Sequence, residues 1–314
     1  MPVSLRDIQQ AAERIRPYIH RTPVLTNRGL NDHVGAQVFL KCENLQKVGA
    51  FKFRGACNAV YSLSDEEAKR GVCTHSSGNH AQALALAAKM RGIPAYIVMP
   101  NNAPSVKKNA VAGYGGRITY CEPTLEARES TLERIRLDTG ATVVHPYNDE
   151  RVIAGQGTAA LEFLEEVPNL DVIITPVGGG GLLSGTSIAA QETKKGIRVI
   201  AGEPEMADDA FRSMQAGRII PSANPKTTAD GLLTSLGALT FPIIQKHVEQ
   251  IVTVSEQGII ESMKFVWERA KIIIEPSSAV AIGVLWEKKI DLSGLKAGVI
   301  ISGGNVDLNK LPWQ

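Results

Sequence analysis

The chain is poor in cysteine, and none of its cysteines stands in a spacing that carries chemistry. Cys42, Cys57, Cys73 and Cys121 are scattered with no C-x-x-C pair. They read as buried thiols of a reducing compartment rather than a disulfide framework or a zinc site. An excess of one charge is also lacking. A formal net charge of +2 gives no electrostatic reason to expect nucleic acid or an anionic membrane as partner. No apolar run can span a bilayer: the best, over residues 270–286, is broken by Lys271, Glu275 and Pro276. The opening Met1-Pro2-Val3-Ser4-Leu5-Arg6-Asp7 has no basic stretch leading into an apolar one. No secretory signal is therefore expected, and the cytoplasm is. The histidines form no metal pattern, since His75 and His80 stand five apart across a turn and His20, His33, His145 and His247 are isolated.

What is present is an ordinary globular composition, 44% apolar and 21% charged. The 314 residues suffice for two domains or one large α/β unit. Ser4 can cap a helix whose apolar residues Ile8, Ala11, Ala12, Ile15 and Ile19 recur at helical spacing. From residue 71 the pattern alternates, with strands at 71–75, 95–99, 117–121 and 142–145 and helices at 81–91, 104–111 and 125–137. A second series sets strands at 171–175, 198–201, 251–254 and 298–301 among helices at 155–166, 182–194, 257–270 and 277–286. Alternation at this spacing predicts parallel βαβ units. The expected class is α/β with two open sheets in contact. A smaller βαβ domain would cover residues 71–148, and a large domain residues 1–70 and 149–314.

One lysine is set between two aromatic rings in Gly49-Ala50-Phe51-Lys52-Phe53-Arg54-Gly55, at the start of a helix. Apolar rings desolvate an amine, lower its pKa and free it as a nucleophile or base. By itself the heptad reads more simply as a surface lysine with its stem packed on Phe51 or Phe53.

Ligands of parallel sheets bind beyond the carboxyl ends of strands, and four loops there are unusual. Ser76-Ser77-Gly78-Asn79-His80 opens a helix and can take a carboxylate, although serine caps are common. Gly178-Gly179-Gly180-Gly181 lets backbone N–H groups converge on a phosphate, without the lysine of a P-loop or the spacing of a dinucleotide fingerprint. Ser302-Gly303-Gly304-Asn305 is a tight turn or a close approach to a ligand. Glu203 and Asp209 offer hard oxygens to Mg²⁺ or Ca²⁺, yet read more simply as an acidic helix start. An aldehyde for the lysine, a phosphate for the glycines and a carboxylate for the serine loop together describe pyridoxal 5′-phosphate with an amino acid.

Glu43-Asn44-Leu45-Gln46, the lysine heptad and the four loops, in this order, resemble the fold-type II pyridoxal-phosphate enzymes. Within them the sequence is similar to the serine racemase and serine/threonine dehydratase branch, over essentially the whole chain. The resemblance implies a cofactor between the two domains. Lys52 would hold it covalently and act as base on one face, with Ser77 the acid/base on the other. Phe51 would pack on the ring, Asn79 bond its 3′-oxygen, Gly178, Gly179, Gly180 and Gly181 hold the phosphate, and Ser302 face the pyridine nitrogen. Ser76, Ser77, Gly78, Asn79 and His80 would receive the substrate carboxylate, with Arg128 and His145 near the substrate. Glu203, Asp209 and the Ala207 carbonyl would bind a divalent cation, Mg²⁺ or else Ca²⁺ or Mn²⁺.

The implied reaction is loss of the Cα proton and β-hydroxyl from L-serine or L-threonine, giving a 2-oxo acid and ammonia. Return of a proton from Ser77 would give the D-amino acid. The alternative is elimination from threo-3-hydroxyaspartate, whose second carboxylate needs a cation such as Arg128. β-Replacement of the cysteine synthase type fits less well, because its lysine motif differs. A non-catalytic amino-acid sensor also fits less well, because Lys52 and Ser77 are both present. Ala50 departs from many members of the family, and Ala81 and Tyr147 from its animal racemases; together they lean towards a microbial or plant-type dehydratase with some racemase activity. The resemblance suggests a homodimer.

Overall fold

Two sheets carry ten strands among the described residues, 3–314, of the computed structural model. They are β1 (Val24–Thr26), β2 (Gln37–Cys42), β3 (Val72–His75), β4 (Ala95–Pro100), β5 (Arg117–Cys121), β6 (Thr142–Val143), β7 (Val172–Pro176), β8 (Arg198–Pro204), β9 (Gln250–Val254) and β10 (Lys296–Ile301). The larger sheet runs β1-β2-β10-β7-β8-β9 and the smaller β5-β4-β3-β6. Every pairing is parallel except that of β1 with β2. The architecture is the expected α/β with two parallel-rich sheets. All of β7 is buried, because helices cover both faces of its sheet. β1, three residues long, is too short to show an alternating pattern, and the sequence did not reveal it.

Helix starts follow their caps. Ser4 and Asp7 form a reciprocal capping box on the helix Leu5–Ile15. The helix expected at 155–166 begins earlier, as Glu150–Glu166, because the Asp149 carboxylate accepts the N–H groups of Arg151 and Val152. The helix expected at 257–270 is α-helical over Glu256–Phe265 and then widens to a π-turn over Val266–Ala270.

Apolar residues pack on both faces of the larger sheet, Phe163, Ile188 and Ile300 on one and Leu40, Ile282 and Val299 on the other. The helix Lys52–Tyr61 instead sends Phe53, Ala56 and Val60 into the core beneath the smaller sheet, with Leu84 and Ile97. Its back lies against the helix Glu150–Glu166. There Gly55 meets Gly155 so closely that a Cβ on Gly155 would stand 2.6 Å from the Gly55 Cα. Held from both sides, this helix carries its first residue, Lys52, to the junction of the two sheets.

Candidate active site

The segment before Lys52 is stitched to the end of β10. Phe51 N–H donates to the Ser302 carbonyl at 2.9 Å, and Gly304 N–H to that of Gly49 at 2.9 Å. Gly49 has φ +68°, and a Cβ there would lie 2.7 Å from the Asn305 side-chain oxygen, so only glycine passes. The Lys52 amine donates to the Pro146 carbonyl at 2.8 Å and lies 5.1 Å from the centre of the Phe51 ring. Burial pulls its pKa from 10.5 to about 8, against the opposing pull of Glu275. It is an amine whose neutral, nucleophilic form is close at hand.

Arg54, two residues on, is wholly buried between two carboxylates. It meets Glu43 at 2.7 and 2.8 Å and Glu162 at 2.8 Å through each terminal nitrogen. Thr22 donates to the same Glu43 at 2.6 Å. This cluster fixes the lysine helix against both β2 and the helix Glu150–Glu166.

Gly178, Gly179, Gly180 and Gly181 are buried, and among the described residues their backbone N–H groups donate to nothing. Two of their carbonyls are engaged: the Thr240 hydroxyl donates to Gly179 at 2.8 Å, and Ser184 N–H to Gly180 at 2.8 Å. Gly180 has φ +87°, and Gly181 opens the helix Gly181–Thr193. Open donors at a helix N-terminus form a cradle suited to a phosphate. The Tyr147 ring lies against this loop, where a Cβ on Gly179 would come within 2.3 Å of it.

The serine loop leads from β3 into the helix Asn79–Arg91. Ser76, Ser77 and Asn79 remain partly exposed. The Asn79 amide donates to both oxygens of Glu275, at 3.0 and 3.2 Å, and accepts from Asn305 at 2.9 Å. Asn305 N–H also donates to Glu275 at 3.2 Å. Sequence reasoning missed Glu275, treating it as a charge interrupting an apolar run. Its signal was a carboxylate directly before a helix-initiating proline. Burial raises its pKa to about 7. The His80 ring is turned inward and bonds the Val144 carbonyl at 3.0 Å, so it offers the cleft only backbone.

Lys107 of the smaller-sheet helix Ser105–Gly113 pairs with Asp230, in the short 3₁₀ turn Asp230–Leu232, at 2.6 Å. Arg128, half-buried on the helix Leu125–Thr139, bonds the Thr124 carbonyl at 3.4 Å and lies close enough to His75 to lower its pKa after burial has done so. His145 stands between His75 and Tyr147, with ring centroids 6.3 and 4.6 Å away.

Glu203 and Asp209 are buried together at the end of β8. Glu203 accepts the N–H groups of Ala210 at 2.8 Å and Phe211 at 2.7 Å, whereas both Asp209 oxygens lack a partner. Burial raises Glu203 to about 8 and Asp209 to about 6. Among the described residues no three or more His, Cys, Asp or Glu side chains gather as a metal centre.

A family model described as "Pyridoxal-phosphate dependent enzyme" matches residues 15–303. The chain is 52% identical over 308 residues to a β-hydroxyaspartate dehydratase of Paracoccus denitrificans (strain Pd 1222), covering 98% of each chain. It is 53% identical over 315 residues to a serine racemase of Dictyostelium discoideum, covering 98% of this chain and 97% of the relative. The crystal structure of serine racemase from Dictyostelium discoideum superposes with a TM-score of 0.95, at 53% identity, over 98% of this chain and 100% of that one.

Proposed function

This chain belongs to the pyridoxal-phosphate dependent enzyme family, and from that premise we propose that it eliminates water from β-hydroxy-L-amino acids and racemises serine. The observation that carries the reading is the pairing of a buried lysine amine with four buried, undonated glycine N–H groups. The amine suits the cofactor's aldehyde and the glycines its phosphate. Bound pyridoxal phosphate supplies an electron sink that acidifies the Cα–H of an attached amino acid.

The chain's own residues do the rest. Lys52 holds the cofactor and takes the Cα proton on its face of the site. Ser77, on the opposite side, returns a proton to Cα to give the D-amino acid. Phe51 would pack on the cofactor ring, Ser302 would face its nitrogen, and Asn79, oriented by Glu275 and Asn305, would bond its 3′-oxygen. Ser76 to His80 receive the substrate carboxylate through the start of the helix Asn79–Arg91. Residues 71–148 close on the substrate, with Lys107 paired to Asp230.

The β-hydroxyaspartate dehydratase likeness favours hydroxyaspartate as a second substrate, with Arg128 as the cation for its distal carboxylate. The orphaned, buried oxygens of Asp209 beside Glu203 suit a divalent cation, Mg²⁺ first, with the Ala207 carbonyl as a further ligand. Among the described residues no helix is long and apolar enough to cross a membrane. The exposed Leu45 and Ile273, on segments joined by the hydrogen bond from Asn44 to the Ile273 carbonyl, suit the interface of a cytoplasmic homodimer. Purified protein supplied with L-serine, L-threonine and threo-3-hydroxyaspartate, with and without Mg²⁺, tests the reading. Appearance of 2-oxo acids and D-serine is expected, and no product from any substrate would sink it.

A further inference from the structure

Four successive glycines have too much backbone freedom to hold one shape by themselves, and a hydroxyl 61 residues away supplies the constraint. Thr240, wholly buried at the start of the helix Thr240–His247, donates to the Gly179 carbonyl at 2.8 Å. The same Oγ1 accepts the Gly237 N–H at 2.8 Å. The Gly237 carbonyl stands farther off, at 3.2 Å, so the single hydroxyl proton goes to Gly179. Thr240 also presses on the next residue of the loop. A Cβ on Gly180 would lie 2.9 Å from both its Cβ and its Oγ1. The threonine is anchored in turn, because the Leu239 N–H before it donates to the Asn148 side-chain oxygen at 2.8 Å. The Gly179 carbonyl shares a peptide plane with the Gly180 N–H, and a trans peptide points the two in opposite directions. The Gly180 N–H is therefore aimed away from Thr240, and among the described residues it donates to nothing.

We propose that Thr240 is the positioning residue of the phosphate cradle: its hydroxyl turns the Gly179–Gly180 peptide so that the Gly180 N–H meets the cofactor's phosphate. This deepens the function proposed above and rests on it. The hydroxyl acts in two ways. It fixes the tilt of the peptide, which glycine alone leaves free. It also polarises that peptide, since a carbonyl that accepts a hydrogen bond makes the N–H of the same unit a better donor. Thr240 itself need not touch the phosphate.

Two variants separate the hydroxyl from the side chain's bulk. Thr240→Val keeps the shape and removes the donor, whereas Thr240→Ser keeps the donor and removes the methyl group. The cofactor-free chain is titrated with pyridoxal 5′-phosphate and with pyridoxal, which carries the same aldehyde and no phosphate. Absorbance gives the two dissociation constants, and their ratio is the preference for the phosphorylated form. That preference is expected to fall about tenfold in Thr240→Val and to stay within about twofold of wild type in Thr240→Ser. A threonine that only supports the fold weakens both compounds alike, so an unchanged ratio in Thr240→Val overturns the proposal, as does an equal fall in Thr240→Ser. Wild-type protein labelled with ¹⁵N-glycine gives a test that needs no variant to fold. Adding pyridoxal 5′-phosphate should move the Gly180 N–H resonance downfield, and an unmoved resonance overturns the proposal. Wild-type protein with no preference for the phosphorylated form would instead sink the glycine cradle, and the proposed function with it, whatever the variants do.

Discussion

Arg54 grips Glu43 through two parallel hydrogen bonds of 2.7 and 2.8 Å, with neither side chain reaching water. Replacing the arginine leaves Glu43 and Glu162 facing each other without their shared cation. Arg54→Met is expected to lose about 3–5 kcal/mol of stability. Urea unfolding of the variant against wild type measures it. A loss under about 1 kcal/mol, the range of exposed ion pairs, would show that the clamp does not hold this helix.

The Lys52 amine, lowered to about 8 mainly by burial, sets the pH at which cofactor attaches. Only the neutral amine attacks an aldehyde, and it accumulates as pH rises through that value. The rate of attachment to cofactor-free protein should climb between about pH 6.5 and 8.5 and level off above it, well below an ordinary lysine. Borohydride reduction followed by peptide mass analysis should place the added mass on Lys52. Lys52→Ala should carry none and should lose turnover by about a thousandfold or more.

Ser77 lies partly exposed on the loop between β3 and its helix, and the proposed function has it return a proton to the opposite face of Cα. Ser77→Ala should lower D-serine formation by about a hundredfold while elimination from L-serine falls far less. Equal loss of both activities, followed by chiral chromatography and 2-oxo acid assay, would contradict the assignment of the two faces.

Glu203 and Asp209 titrate at about 8 and 6 because burial disfavours their charges. Carboxyls raised in this way stabilise the fold fully below their unfolded pKa, and that contribution drains away as pH rises through 6 and then 8. A bound cation reverses the preference by favouring the ionised forms. The gain in melting temperature on adding Mg²⁺ should therefore be small near about pH 5 and grow towards about pH 8.5. Asp209→Asn should remove most of that gain. A gain independent of pH, or unchanged in the variant, would place the cation elsewhere.

Much of this was legible in the sequence because it rested on local signals. Ser4 caps the helix that follows it, as its spacing predicted, and strand–helix alternation from residue 71 onward reported the parallel sheets. Lys52 and the glycine run could be read as a pair because each is unusual where it stands. What stayed hidden was made by distance in sequence. Glu275 becomes a site residue only when folding brings it to Asn79, 196 residues away. The partnership of Arg54 with Glu162 spans 108 residues and leaves no periodic trace. Pro146 offers a carbonyl to Lys52, and a backbone oxygen has no letter in the sequence.

The order of strands in the larger sheet governs how the molecule can be made. β10 lies between β2 and β7, so until residues 296–301 have been synthesised the sheet exists only as two separate halves, β1-β2 and β7-β8-β9. The emerging chain thus presents two open strand edges to its neighbours, and joining them depends on contacts spanning most of the sequence, which form slowly. Ser302 and the bridge to Ala50 follow β10 directly. A ribosome-bound chain halted before that strand should be unable to retain cofactor, and the last segment threaded into the sheet would act as the enzyme's own quality check on its synthesis.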